Sequence, residues 1–251
     1  MGTLVELGML LPGADARPPP PWAERVLEAG WRALAAVEQA LSAFLPGSDV
    51  SRFNGAPAGA RLPVCADAAA VLRTARRLQR RSGGLVDVTL GSGPGDWSLS
   101  ARGRVILLRK HTGSVRMDLG GIAKGYAVDR ALGAMVAAAA RAGRRPGCWV
   151  NAGGDLRTRG APLEVRLRDE RAGGARPWLA LRLGAVATSD FAAGARSRLA
   201  GGAPRARHVS VISPRCMWSD ALTKVVARSG RRDHPLLAAL RARAFVHQGA
   251  G

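Results

Sequence analysis

The sequence predicts an α+β fold in which mixed and antiparallel sheets pack against several long helices, and three observations carry that prediction. Apolar residues recur at three- and four-residue intervals over three long stretches, near 22–44, 67–81 and 122–142. Short apolar runs bounded by glycine, proline and polar residues fill much of the remainder. The two kinds of segment do not alternate regularly, which argues against a doubly wound parallel sheet. At 251 residues and 47% hydrophobic content the chain is long enough to bury a sizeable core, and it is read as one domain over 1–251.

Residues 3 to 11 are apolar enough for a strand, and Pro18 to Pro21 then form a stiff connection that suits neither a helix interior nor a central strand. A long helix follows, with Val26, Gly30, Leu34, Val37, Leu41 and Phe44 as one buried stripe ending near Pro46. Ser48 to Gly59 reads as a loop. A second helix over 67–81 turns Val71, Ala75 and Leu78 inward and its arginines outward, and Gly83-Gly84 closes it. Strands are expected near 85–90, 104–109 and 114–118, with a glycine-rich turn at Gly91 to Gly95. The alanine-rich helix over 122–142 stops before Gly143. Strands near 148–151, 163–168, 178–183 and 208–212 precede helices near 218–229 and 234–241 and a last strand at 243–247.

Lysine and arginine number 38 against 18 acidic residues, a formal charge of +20 that invites a nucleic-acid reading, because basic surfaces release counterions when they meet phosphates. The distribution argues otherwise. Lysine appears only at Lys110, Lys124 and Lys224, arginines are scattered through helical segments, and 4% aromatic content is poor in base-stacking platforms. No specific nucleic-acid partner is expected. No stretch approaches the roughly 20 apolar residues of a membrane span. Ala14-Asp15-Ala16 imitates a signal-peptide cleavage site, but Glu6 and the lack of a basic leader argue against export, and Glu6 also breaks a myristoylation pattern. The sequence as it stands is expected to be cytoplasmic; a start upstream of Met1 would make it exported or membrane-associated. Cys65, Cys148 and Cys216 are far apart without CxxC spacing and are expected to be reduced, buried thiols.

The densest chemistry lies in Asp118 to Asp129, DLGGIAKGYAVD. Gly120 and Gly121 let backbone amides approach a ligand closely, and Lys124, one turn into a helix, adds a full charge beside the helix-terminal N–H groups. That combination suits a diphosphate, although glycine pairs also serve as tight turns. Four other segments bear polar groups: SDVSRFN at 48–54, NAGGD at 151–155, ATSD at 187–190 and SDALTK at 219–224. Each has a plainer alternative, namely a polar turn for the first two, a helix cap for the third and an i,i+4 salt bridge for the last. Asp220 shares a helical face with Thr223 and Lys224, so either a hard cation finds a carboxylate and a hydroxyl there, or an ammonium replaces the ion. Of the four histidines, His111, His208, His234 and His247, only His208 sits among these segments, which makes it the preferred proton-transfer residue.

Taken in order, Met1-Gly2-Thr3, SDVSRFN, DLGGIAKGYAVD, NAGGDL, ATSD, the strand from His208 to Pro214 and SDALTK resemble the ApbE family of FAD:protein FMN transferases over nearly the whole chain. DLGGIAKGYAVD is the specific part. The resemblance implies a T-fold-like α+β domain with FAD as substrate, Mg²⁺ as cofactor, and an acceptor protein whose threonine hydroxyl attacks the FMN phosphorus with release of AMP. By position it implies metal ligation by the Gly121 carbonyl and Asp220, with Thr223, one residue short of the family's threonine, as the further ligand. It implies nucleotide contacts from Met1, Gly2, Thr3, Asn54, Asp118, Gly120, Gly121, Lys124, Asp155 and Ser189, and catalytic roles for His208, Lys124 and Asp220.

The chain departs from the family pattern at several positions. Lys224 stands four residues after Asp220, where the family usually has threonine. Either the lysine supplies the missing charge, or Thr223 takes over ligation with a small shift of helix phase. Asp190 stands where glycine commonly follows Thr-Ser, Val86-Asp87-Val88-Thr89 replaces Phe-Asp-Pro-Thr, and the stretch from Thr89 to Asp118 is short. The same site with water as nucleophile would be an FAD pyrophosphatase, and a disabled one an FAD carrier.

Overall fold

The structure is a computed structural model describing residues 3–11, 19–168, 175–192, 194–195 and 197–247. The larger of its two sheets has the order β1 (Val5–Leu10), β5 (Gly147–Ala152), β6 (Asp155–Arg168), β7 (Ala175–Asp190), β8 (His208–Ser213), β9 (Arg243–His247). The smaller runs β2 (Arg61–Val64), β4 (Val105–Lys110), β3 (Trp97–Arg102). Every ladder between described strands is antiparallel, so the mixed pairing expected from the sequence is not found among them. The strands expected at 163–168 and 178–183 are parts of the longer β6 and β7.

Helix α1 (Pro21–Leu41) starts where the proline run allows it: Pro20 is extended and Pro21 takes the first helical position, which needs no N–H. Its buried face is Ala23, Val26, Gly30, Leu34, Val37 and Leu41, the stripe the spacing predicts except at its end. Phe44 is 89% exposed, because the helix stops at Leu41 and the hydroxyls of Ser48 and Ser51 take the Ser42 carbonyl and turn the chain. At Gly30 the helix crosses Met135, whose Cγ would lie 2.8 Å from a β-carbon there.

The segment read as a loop at 48–59 contains a short helix, α2 (Asp49–Gly55). It is too brief for periodicity to reveal and is held by capping at both ends. Ser48 Oγ accepts the Ser51 amide at 2.9 Å, and the buried Lys110 ammonium donates to the carbonyls of Phe53 and Asn54, both at 3.2 Å. Helix α3 (Ala66–Arg81) is capped by the Cys65 sulfur, so this thiol is exposed and not buried as expected; Cys148 and Cys216 are buried, and all three are free.

No strand forms at 85–90. Asp87 Oδ1 accepts the amide and hydroxyl of Thr89 at 2.9 and 2.8 Å while Oδ2 accepts the Gly91 amide, so the side chain wins the backbone groups a ladder would need. Residues 114–118 likewise join no ladder, and Asn54 pairs with both backbone groups of Met117 instead. Strands β2 and β3 have no counterpart in the apolar pattern; β2 is four residues long and includes Pro63, and β3 places serines at alternate positions.

Helix α4 (Ala123–Arg141) packs on α1 and the large sheet, and its first turns meet the start of α5 (Cys216–Ser229). Helix α5 lies across β7 and β8 with most of its length buried, and a short α6 (Pro235–Ala239) leads into β9. The α4–α5 contact is backbone on backbone: a β-carbon on Gly125 would lie 2.6 Å from the Cys216 carbonyl carbon and 2.8 Å from Met217 Cα. Asp129 locks it by accepting the amides of Cys216 and Met217 at 2.8 and 3.2 Å and pairing with Arg157. None of the described helices is long and apolar enough to cross a membrane.

Two glycines of α4 test this packing. Gly125→Ala is expected to lower unfolding free energy by about 1–3 kcal/mol because the backbones must part. Gly133→Ala, where a β-carbon meets nothing within 4 Å, should raise it by about 0.5–1 kcal/mol through helix propensity. Urea unfolding of the two variants measures both, and equal effects would contradict the assigned contact.

Candidate functional site

The α4–α5 crossing gathers two carboxylates and two ammonium groups that the sequence spreads over about 100 positions. Lys124 Nζ pairs with Asp155 Oδ2 at 2.9 Å, the lysine side chain 30% exposed and the aspartate fully buried. Lys224 pairs with Asp220 Oδ1, also fully buried, and reaches the Asp220 carbonyl at 3.0 Å and Ser189 Oγ at 3.5 Å. Asp220 Oδ2 accepts the Gly125 amide at 3.2 Å, so this carboxylate sits on the positive end of α4.

The local structure explains each placement. Gly153 and Gly154, at φ of 58° and 94°, form the two-residue turn joining β5 to β6, a tight hairpin turn with both central residues at positive φ, which glycine adopts without strain. NAGGD is therefore a turn that also delivers Asp155 to the sheet's helix-covered face. Asn151 Oδ1 accepts the Gly154 amide, and Thr3 packs against Gly153. Residue alternation along β7 then turns Ser189 toward α5, where its hydroxyl meets Thr223 Oγ1 at 2.9 Å. Gly121 touches the same place: a β-carbon on it would lie 2.9 Å from Lys224 Cε.

Burial is the largest influence on Asp155. It pushes the carboxyl up to about 7, with Asp220 acting in the same direction and Lys124 and Lys224 against it. Asp155 Oδ1 is buried without a hydrogen-bond partner among the described residues, consistent with that raised proton affinity. For Asp220, burial also raises the pKa, but Lys224 and Lys124 together overcome it and hold the carboxyl below its ordinary value. Lys124 loses charge stabilisation through burial and regains more from Asp155 and Asp220, so it keeps its proton.

Gly121, Lys124, Asp155, Ser189, Asp220 and Thr223 thus come together, with Thr3 near the NAGGD turn. Other expected residues make their contacts with groups outside the cluster. Asn54 spends its amide on Met117, and Asp118 Oδ1 accepts the Gly120 amide at 2.7 Å while Arg198 approaches Oδ2. His208 faces Asp190 across the β7–β8 pair, Nδ1 to Oδ1 3.5 Å, and alternation puts both on the sheet face opposite Ser189. Met1 and Gly2 lie outside the described residues. Asp129, the residue that fixes α5, ends the DLGGIAKGYAVD segment; its partner amides lie 87 and 88 positions away, so no spacing in the sequence announces it.

The groups expected to hold a magnesium ion do not fit one. Asp220 is engaged by Lys224 and the Gly125 amide, the Thr223 hydroxyl donates to the Asp220 carbonyl at 2.7 Å, and the aliphatic stem of Lys224 covers Gly121. Among the described residues no cluster of three or more His, Cys, Asp or Glu side chains is suited to a metal.

A family model described as the ApbE family matches residues 1–105 and 93–192, which include every cluster residue but those of α5. Comparison with curated proteins finds no significant match. Among solved structures, the ApbE protein of Thermotoga maritima superposes with a TM-score of 0.78 at 21% identity, covering 98% of this chain and 91% of that one. The flavin transferase ApbE of Vibrio cholerae gives 0.73 at 21%, covering 98% and 90%, and the flavinyl transferase ApbE of Pseudomonas stutzeri gives 0.70 at 21%, covering 98% and 92%. These likenesses carry the shared fold through α5, and with the family match over most of the length the chain belongs to the ApbE family.

Proposed function

We propose that the chain, acting as one unit over 1–251, is an FAD:protein FMN transferase. The observation that carries this reading is the convergence of DLGGIAKGYAVD, NAGGD, ATSD and SDALTK on one charge cluster at the amino end of α4, in a chain of this family. An FAD diphosphate placed there meets the glycine backbone at 120–121 and the part-exposed Lys124, which Asp155 holds in place.

In the reaction the acceptor threonine oxygen forms a bond to the FMN phosphorus, the bridging P–O bond to the AMP phosphate breaks, and AMP leaves with that oxygen. Lys124 stabilises the charge that gathers on the phosphoryl oxygens. His208 takes the threonine proton, oriented by Asp190; an imidazole suits a group that must accept and release a proton near neutrality. Because His208 lies on the other face of the sheet from Ser189, the acceptor loop reaches the nucleotide around the β7–β8 end. The magnesium ion implied by the resemblance has no step in this reading, because Lys224 holds its ligands.

Incubation with FAD and a flavin-acceptor domain is expected to add one FMN to the acceptor by intact mass and to release an equal amount of AMP. Release of AMP without a mass gain would replace this reading with the pyrophosphatase. His208→Ala should slow transfer by about 10²–10⁴-fold, the usual weight of a general base, while FAD affinity measured by flavin fluorescence stays within about twofold. A matching loss of FAD affinity would remove His208 from proton transfer.

A further inference from the structure

Lys224 stands where a metal ion would need to stand. Its ammonium contacts the Asp220 carboxylate and carbonyl and approaches the Ser189 hydroxyl, and its stem lies against Gly121. Carboxylate, carbonyl and hydroxyl oxygens are the donors a hard cation takes, and here they surround a nitrogen that is covalently part of the chain. The Ser189 hydroxyl is in turn bonded to Thr223 Oγ1 at 2.9 Å.

Charge balance points the same way. The cluster holds Lys124 and Lys224 against Asp155 and Asp220, so with both carboxylates ionised two positive and two negative charges sum to zero. With no nucleotide bound, a dication added to it would leave two uncompensated charges in a region where Asp155, Asp220 and Thr223 are inaccessible to water, and with or without one the carboxylate and carbonyl oxygens it would need are already taken by Lys224. Asp190 offers no compensation, since it sits on the opposite face of the sheet beside His208. With threonine at 224 the same cluster would carry one net negative charge and would welcome the ion.

We propose that the Lys224 ammonium is the resident cation of this site, and that the chain engages the FAD diphosphate without a divalent metal. The FAD part of this inference rests on the proposed function; the replacement of the metal by lysine does not.

Two measurements separate them. Titration of the native chain with Mn²⁺, followed by electron paramagnetic resonance, is expected to show no saturable site, whereas Lys224→Thr should gain one at least about a hundredfold tighter, the order expected when a nearby like charge is removed. Lys224→Met, which removes the charge but keeps the stem, should bind Mn²⁺ more tightly than the native chain, and circular dichroism melts confirm folding of both variants. Stoichiometric Mn²⁺ binding by the native chain would overturn the inference whatever the variants do. Flavin fluorescence in EDTA should then give the native chain an FAD affinity within about twofold of that in Mg²⁺, a change below about 0.5 kcal/mol. An affinity that needs Mg²⁺ would overturn the inference, while no FAD binding in either buffer would overturn the flavin reading and leave the replacement of the metal by Lys224 to stand on the Mn²⁺ titration.

Discussion

A carboxylate fully removed from water must be compensated, and Asp220 obtains compensation from two directions at once: the Lys224 ammonium on its own helix and the Gly125 amide at the start of α4. The second contact exists only because α4 and α5 meet backbone to backbone, which Gly125 permits and Asp129 enforces by holding the first amides of α5. Closeness of the helices and burial of the charge therefore depend on each other. Moving α5 outward would release Asp220 and Lys224 to solvent, and Ser189 on β7 would lose its partner Thr223.

The large sheet divides the chemistry between its faces. Even-odd alternation along β7 sends Ser189 to the helical side and Thr188 and Asp190 to the other, where Thr188 meets Ser210, Ser210 meets His247, and Asp190 meets His208. Adjacent residues of β7 thus serve the two faces, Ser189 reaching the α5 hydroxyl of Thr223 and Asp190 reaching His208 on β8.

Much of the architecture is legible in the sequence because long helices leave long signatures. The stripes of α1 and α3 and the glycine stop after α4 are repeated patterns, and a pattern survives one dissenting residue such as Phe44. Elements fixed by remote capping are not legible: α2 depends on Lys110, more than 50 residues away, and the absence of a strand at 85–90 depends on how one aspartate spends its oxygens. The site divides in the same manner. Motif order brings Lys124, Asp155, Ser189 and Asp220 into one reading, and the i,i+4 relation of Asp220 and Lys224 raises an ammonium as an alternative to an ion. Which alternative holds is a question of where the Lys224 stem goes, and that depends on Gly121, about a hundred positions earlier.

A cation supplied by a side chain has no dissociation constant of its own. Its occupancy is set when the chain folds and stays the same whether free magnesium is scarce, abundant or chelated by competing nucleotides. The same tether fixes the charge at one where a bound ion would bring two, and it fixes the reach at the length of a lysine. A chain built in this way trades the strength of its electrostatics for independence from the ionic composition of its surroundings.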